Sequence, residues 1–421
     1  MRIAVLLCLL FSFATAQAVP ALPGMLSDAA PQLLGIPLEF FLFGATLLGV
    51  ALFHRHVLPI ALGGLAALGV YKLAFTGFRT GDGVAGLALH LAHESTLLLN
   101  LLGLLLGFAL LARHFEDSGV PGLMPRLLPA GWKGPFVLLC LIFLLSSILD
   151  NIAAALIGAT VVASVFRRRV HVGYLAAIVA ASNAGGTGSV LGDTTTTMMW
   201  IDGVSPFDVL HAYVASGTAL VVFGIPASLM QTRFSPPGLA YQGGGRLDVV
   251  RLAVVGWVLL VAVPLRAPEW SLLPEAARGA VFLLVLVTSA SLMPVEALPP
   301  ASWPMALVLG CVSAVSDNIP LTALALKQGG YDWGFLAYAA GYGGSMLWFG
   351  SSAGVAVANL FPEARSAASW LRHGWPVILG YAAGFFVLLG LLGWHPHPPH
   401  KRITVVTVQT RLVPVLASAP V

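Results

Sequence analysis

Two short stretches of the chain are closely similar, SSILDNI at 146–152 and SAVSDNIP at 313–320, and each lies inside a long apolar segment. Both place an aspartate followed by an asparagine near the middle of that segment, as Asp150-Asn151 and Asp317-Asn318. A charged side chain at the centre of a bilayer costs roughly 2.5–3.5 kcal/mol on insertion scales, so such residues usually serve a function. We therefore interpret the two stretches as the functional elements of the chain.

The composition is that of a membrane protein. Of the 421 residues, 58% are hydrophobic and only 9% are charged, whereas soluble domains carry about 25% charged residues. Long uncharged runs recur from start to end and predict an all-α polytopic membrane protein in a lipid bilayer. The net charge of +4 requires no nucleic-acid partner, because the basic residues cluster in loops between apolar runs, as the positive-inside bias predicts.

The two ends of the chain differ from the rest. Residues 1–18 have the pattern of a secretory signal peptide, since Arg2 precedes an apolar run that ends in the small-residue pattern Ala16-Gln17-Ala18. The alternative is an uncleaved first transmembrane helix. Residues 394–421 are predicted to form a polar C-terminal tail, rich in proline and histidine at its start.

Between these ends we expect two transmembrane repeats, 35–203 and 206–393, because the two Asp-Asn motifs are offset by 167 residues (317 − 150). Each repeat is predicted to contain a re-entrant helical hairpin followed by a broken transmembrane helix. The bounds are 135–166 and 172–203 in the first repeat, and 302–327 and 332–361 in the second. Paired interrupted segments in two halves are the best sequence indicator of a transporter's binding site.

The first hairpin has basic residues at both ends, Lys133 before it and Arg167 to Arg169 after it. A hairpin that returns to the cytoplasmic face places both clusters on the favoured side, which a single crossing does not. The orientation of the second half stays open, because the span count and the basic residues there give no consistent answer.

Other apolar spans are expected near 35–53, 57–74, 95–112, 206–227, 248–264, 276–294 and 375–393. His93 and Glu94 stand at the start of the third of these spans. We interpret them as a plain interfacial pair, with a gate or a point where protons enter as the alternative.

A set of polar residues in the interrupted segments is hypothesised to bind a transported cation. Hard cations such as sodium prefer carboxylate, amide, hydroxyl and backbone oxygens, which broken helices supply. A buried carboxylate that exchanges a proton for a cation performs the minimal chemistry of antiport.

The candidate cation ligands are Asp150, Asn151, Asn183, Asp193, Asp317 and Asn318. The candidate supporting residues are Ser146, Thr187, Thr195, Thr196, Ser313, Ser345, Ser351 and Ser352. For each, the alternative role is a polar contact that holds a helix break. We expect Asp150 and Asp317 to face a shared polar cavity.

These motifs resemble those of the NhaD-type sodium/proton antiporters, members of the ion transporter superfamily that also contains arsenite permeases and dicarboxylate transporters. The segments that carry the resemblance are 146–152, 182–186, 192–198, 313–320 and 343–354. The resemblance extends from about 35 to 393 and gives importance to all the candidate residues except Thr187 and Ser313. It implies exchange of sodium or lithium against protons at the cell inner membrane, with no cofactor. It also implies two inverted repeats and commonly a homodimer, although the stretch from Met230 to Trp303 looks one span short for that plan.

Three alternatives remain at this point. A sodium-coupled di- or tricarboxylate carrier is disfavoured because the aspartates would repel its substrate and no lysine or arginine lies within the broken segments. Arsenite export is harder to distinguish. An intramembrane aspartyl protease usually carries a Gly-x-Gly-Asp motif, whereas Asp193 here follows Val190-Leu191-Gly192. We therefore expect that the protein is not an enzyme.

Overall fold

The computed structural model describes residues 31–33, 35–53, 56–236 and 270–397. The predicted signal peptide, the span expected near 248–264 and residues 398–421 of the predicted tail lie outside these ranges. The described part is mostly helical and begins with a small hairpin in which β1 (Gln32–Leu33) pairs antiparallel with β2 (Ile36–Pro37).

Fifteen helices of seven residues or more follow in the described part of the chain. Those before residue 237 are α1 (Leu38–Leu52), α2 (Val57–Tyr71), α3 (Gly83–Asp117), α4 (Lys133–Ser146), α5 (Asn151–Val165), α6 (Val172–Gly186), α7 (Thr194–Ile201) and α8 (Ala212–Phe234). Those after residue 269 are α9 (Leu273–Ser291), α10 (Trp303–Ser313), α11 (Asn318–Gln328), α12 (Trp333–Gly343), α13 (Ser352–Leu360), α14 (Ala367–His373) and α15 (Trp375–Leu392).

Several of these helices are suited to a bilayer. Five segments are long and apolar enough to cross a membrane, namely Val57–Thr76, Gly83–Asp117, Pro206–Phe234, Trp270–Ser291 and Trp375–Leu392. Apolar side chains such as Leu99 (66% exposed) and Leu391 (69% exposed) project outward from them, as expected of a lipid-facing surface. The prediction of an all-α, multi-pass membrane protein is confirmed.

Both Asp-Asn motifs lie at a break between two helices. Asp150 stands between α4 and α5, and Asp317 stands between α10 and α11. Each carboxylate accepts a hydrogen bond from the backbone N–H two residues later, Ile152 or Ile319, at 3.1 Å in both cases. Aspartate is a preferred N-cap because its side chain satisfies a backbone donor that the first turn of a helix leaves unpaired. The motif therefore starts the second helix of each pair through a local interaction.

The segments predicted to be broken also contain two helices each. In the first, α6 ends at Gly186 and α7 begins at Thr194; in the second, α12 ends at Gly343 and α13 begins at Ser352. The longer helices of the two segments lie at the centre of the protein. Every residue of α12 is buried, as is all of α6 after its first residue.

Helix α12 is held along its length by α15. The hydroxyl of Tyr338 donates hydrogen bonds to the carbonyls of Gly380 and Tyr381, each at 3.0 Å, and the hydroxyl of Tyr342 donates to the carbonyl of Val377 at 2.9 Å. The rings of Tyr338, Tyr342 and Tyr381 also stack on one another.

The N-terminus of α12 is fixed by Asp332. Its carboxylate caps the first turn through the N–H of Gly334 at 3.2 Å and lies 2.7 Å from Nε2 of His211. The other carboxylate oxygen accepts a hydrogen bond from the backbone N–H of His395 at 2.9 Å. The first residues of the predicted C-terminal tail thus pack against this end of α12.

One sequence interpretation is wrong. The span expected near 95–112 is the longer helix α3, so His93 and Glu94 lie inside a helix and not at its start. Glu94 is buried and forms an ion pair with Nζ of Lys327 on α11 at 3.1 Å. Lys327 also donates to the carbonyl of Ser291 on α9 at 2.5 Å. Two adjacent polar side chains suggested the end of a span. In the structure the helix continues through them, because Lys327 on another helix compensates the buried charge of Glu94.

Candidate functional site

A buried polar cluster forms where α5, α6 and the start of α7 meet. Nδ2 of Asn151 donates to Oδ1 of Asn183 at 3.1 Å and to Oδ1 of Asp193 at 3.2 Å. The other carboxylate oxygen of Asp193 accepts a hydrogen bond from the hydroxyl of Thr195. Both oxygens of a carboxylate that is only 1% exposed are therefore held in place by neighbours.

The cluster continues into the second half of the chain. Nδ2 of Asn183 donates to the hydroxyl oxygens of Ser345 and Ser351, at 2.9 and 3.1 Å. Ser351 is itself the N-cap of α13, because its hydroxyl oxygen accepts a hydrogen bond from the N–H of Gly354 at 3.2 Å. The structure thus brings the two broken segments, predicted from separate parts of the sequence, into direct side-chain contact.

A cavity of about 270 Å³ opens next to this cluster. Its polar lining consists of Asp150, Asn151, Asp193, Thr194, Asn318, Ser352 and Glu116. Its apolar lining comes mainly from α3 and α9, with Phe108 and Leu283 as examples. Three carboxylates, two amides and two hydroxyls therefore line one open cavity.

Asp317 lines a different cavity, of about 220 Å³, together with Ser316, Ser351 and Ser352. The hydroxyl of Ser352 donates to Oδ2 of Asp317 at 3.0 Å, and Ser352 lines both cavities. In place of the one shared cavity that we expected for Asp150 and Asp317, the structure has two cavities that meet at Ser352.

The remaining candidate hydroxyls contact the backbone. Those of Ser146, Ser313, Thr187 and Thr196 donate to the carbonyls of Ser182, Ala340, Ala184 and Ser189, at 2.5, 2.7, 2.9 and 2.6 Å respectively. These acceptors lie at or near the ends of the interrupted helices, where carbonyl groups lack helical partners. These four hydroxyls support the breaks, and among the described residues no hydrogen bond joins them to a side chain of the polar cluster.

The two Asp-Asn motifs have unequal surroundings. Asn151 donates to two acceptors, whereas Nδ2 of Asn318 is buried without a hydrogen-bond partner among the described residues. An unpartnered buried amide is costly unless something else binds it. Asn318 is 5% exposed and lines the same cavity as Asp150.

Sequence reasoning missed two features. Thr194 lines the cavity and lies within hydrogen-bonding reach of Asp150, and its place directly after Asp193 in the threonine run was the available signal. The ion pair of Glu94 with Lys327 was missed because its partners are far apart in sequence.

No group of three or more His, Cys, Asp or Glu side chains is placed to hold a metal ion within the described ranges. A site for sodium does not depend on such a group, because amide, hydroxyl and backbone oxygens can supply most of its ligands.

Comparison with known proteins gives two relatives and no matching family model. The chain is 28% identical to Sodium/proton antiporter 1 of Arabidopsis thaliana in an alignment 324 residues long, and the match covers 60% of this chain and 54% of the relative. It is 29% identical to Sodium/proton antiporter 2 of the same plant in an alignment 283 residues long, and the match covers 51% of this chain and 66% of the relative. The chain thus spans between about half and two thirds of the length of these relatives. Both are named as transporters, in agreement with the expectation that the chain is not an enzyme.

Proposed function

We propose that the protein exchanges sodium or lithium for protons across the cell inner membrane, as an NhaD-type antiporter. The observation that carries this proposal is the buried carboxylate of Asp193, which Asn151 and Thr195 hold beside the cavity that Asp150 also lines. The names of the two relatives, sodium/proton antiporters, agree with it.

The proposed chemistry follows from placing the carboxylates of Asp150 and Asp193 beside one cavity. The third carboxylate there, that of Glu116, pairs with Arg113 at 3.3 Å. Two such groups in a site of low polarity do not both remain ionised without compensation, so the site holds either a cation or a proton. Oxygens of Asp150, Asp193 and Thr194 would replace the water around a sodium ion that enters the cavity. Asn151 and Asn183 would keep the carboxylate of Asp193 in position while the ion leaves and a proton takes its place.

We propose further that the chain forms two inverted repeats, each made of a re-entrant hairpin and a broken helix, and that two copies associate. In this arrangement Asp317 and Asn318 belong to the second repeat. Asp317 continues the ion path in the cavity beyond Ser352, and Asn318 faces the cavity of Asp150. The matching N-caps at Asp150 and Asp317 support this assignment.

The cavities do not favour an anionic substrate. Neither has a lysine or arginine among the described residues that line it, and each has at least one aspartate. A di- or tricarboxylate would meet carboxylates of the same charge there, with no lysine or arginine in the described lining to offset the repulsion. This supports cation exchange over carboxylate transport.

The test is proton movement in everted membrane vesicles on addition of sodium, lithium, potassium or citrate. Wild-type protein is expected to release protons from the vesicles with sodium or lithium, and Asp150→Asn is expected to abolish the signal. Glu363→Gln is the matched control, because Glu363 is exposed. A citrate-dependent current without sodium-dependent proton movement would overturn the proposal.

A further inference from the structure

Gly341 on α12 faces the carboxylate of Asp193. A Cβ atom placed at position 341 would lie 2.8 Å from Oδ2 of Asp193, 3.1 Å from Cγ2 of Thr187 and 3.8 Å from Oγ1 of Thr195. Real Cβ atoms do not approach an oxygen this closely, so the carboxylate occupies space that exists only because residue 341 has no side chain.

Position 341 has a counterpart in the first half of the chain. Gly185 and Gly343 approach the backbone of the first helix of their hairpin, α4 or α10, in the same way, at Phe143 and Gly310. Gly186 and Gly344 both approach the carbonyl of the last glycine in the break, Gly192 or Gly350. Both pairs are related by a shift of 158 residues (343 − 185 and 344 − 186). The same shift relates Asn183 to Gly341 and Asp193 to Ser351.

The contact between Asn183 and Ser351 and the contact between Gly341 and Asp193 are therefore the same contact made twice. In the first, an amide donates to a hydroxyl at 3.1 Å. In the second, a glycine stands in place of the amide and a carboxylate stands in place of the hydroxyl. A glycine inside a helix costs roughly 0.5–1 kcal/mol relative to alanine, and Ala339 and Ala340 precede it in α12.

We propose that Gly341 is a positioning residue of the cation site, which sets the place of the Asp193 carboxylate and the room beside it. This inference rests on the proposed function. In Gly341→Ala the methyl group displaces Oδ2, because the end of a side chain moves more easily than backbone. The hydrogen bonds of Asp193 to Asn151 and Thr195 are then distorted, and the space for the ion becomes smaller.

The first experiment measures the apparent KM for sodium and lithium in vesicles. Gly341→Ala is expected to raise the value for sodium about tenfold, the loss expected from one impaired hydrogen bond to a charged group. The smaller lithium ion is expected to be affected less. Gly217→Ala on α8 is the matched control, because a Cβ there meets no atom within 4 Å in the described part of the structure, and it should leave both values unchanged.

A second variant distinguishes the effect of the methyl group on Asp193 from its effect on Thr187, the two residues nearest to it. Thr187→Ser removes the Cγ2 atom, so in Gly341→Ala/Thr187→Ser the altered KM should persist if Asp193 is the group displaced. Recovery of wild-type values in this double variant would overturn the inference, as would an unchanged KM in Gly341→Ala. Absence of sodium-dependent proton release in the wild type would instead contradict the proposed function.

A readout independent of transport is the thermal unfolding of purified protein in detergent. Gly341→Ala is expected to lower the unfolding midpoint in the wild-type background. In an Asp193→Ala background it should leave the midpoint unchanged or raise it slightly, because the displaced carboxylate is absent and alanine favours the helix. An equal drop in both backgrounds, or failure to fold in both, would overturn the inference. Failure to fold only when Asp193 is present would support it.

Discussion

The surroundings of the two Asp-Asn motifs are alike in backbone and different in side chains. Asp150 and Asp317 cap their helices with the same geometry, and Ser146 and Ser313 each bind a carbonyl on the neighbouring helix. At the helix breaks, the first half has the carboxylate of Asp193 where the corresponding position of the second half has a hydroxyl. The shared features build the breaks, so the features that differ are the ones to examine for ion chemistry.

The largest effect is expected from removing the charge that distinguishes the halves. Asp193→Asn should reduce sodium-dependent proton movement by about 100-fold or more, the upper range for losing a group that orients or binds a metal. The reason is that an amide neither releases a proton nor balances the charge of a cation. Ser351→Ala, at the corresponding position, should retain most of the activity. Equal losses in the two variants would contradict the asymmetry.

A second difference is the ion pair that joins α11 to α3. Glu94→Gln should lower the free energy of unfolding by about 2 kcal/mol, because the partly buried Lys327 would lose its charged partner. The position in α5 that corresponds to Lys327 is Thr160, which is exposed. Thr160→Val should therefore change the unfolding midpoint in detergent very little. If both variants unfold at the wild-type temperature, the ion pair does not stabilise the fold.

The two asparagines should differ in their contribution to stability. Asn151→Ala removes the amide that donates to Oδ1 of Asn183 and to Oδ1 of Asp193 and should cost about 2 kcal/mol. Asn318→Ala removes an amide nitrogen that has no partner in the described structure and should be nearly neutral. The comparison is made by thermal unfolding without sodium. A larger loss in Asn318→Ala would show that its amide is bound by something else.

The smallest effects on stability should come from Ser146 and Ser313, which make the same contact in the two halves. Ser146→Ala and Ser313→Ala each remove a hydroxyl that donates to one backbone carbonyl. Each should lower the unfolding free energy by about 1 kcal/mol, and the two losses should agree closely. A clear difference between them would mean that the two breaks are not built in the same way.

Sequence could predict those features that are local. The start of a new helix at Asp150 and at Asp317 follows from N-cap chemistry within three residues, and the breaks near Gly186 and Gly344 follow from glycine-rich runs. The side-chain contact of Asn183 with Ser351 could not be derived, because 168 residues separate the partners. The bounds of α3 were missed for a related reason, since the burial of Glu94 depends on a lysine supplied by a distant helix.

The anchoring of α12 determines how the protein responds when a side chain on this central helix is enlarged. Hydrogen bonds from Tyr338 and Tyr342 to α15, and the cap at Asp332 with its bond from His395, prevent the helix from sliding along its axis. Because α12 is anchored in this way, it cannot move along its axis to make room for an added atom. The displacement then falls on the end of a neighbouring side chain, the carboxylate of Asp193, while α12 keeps its position.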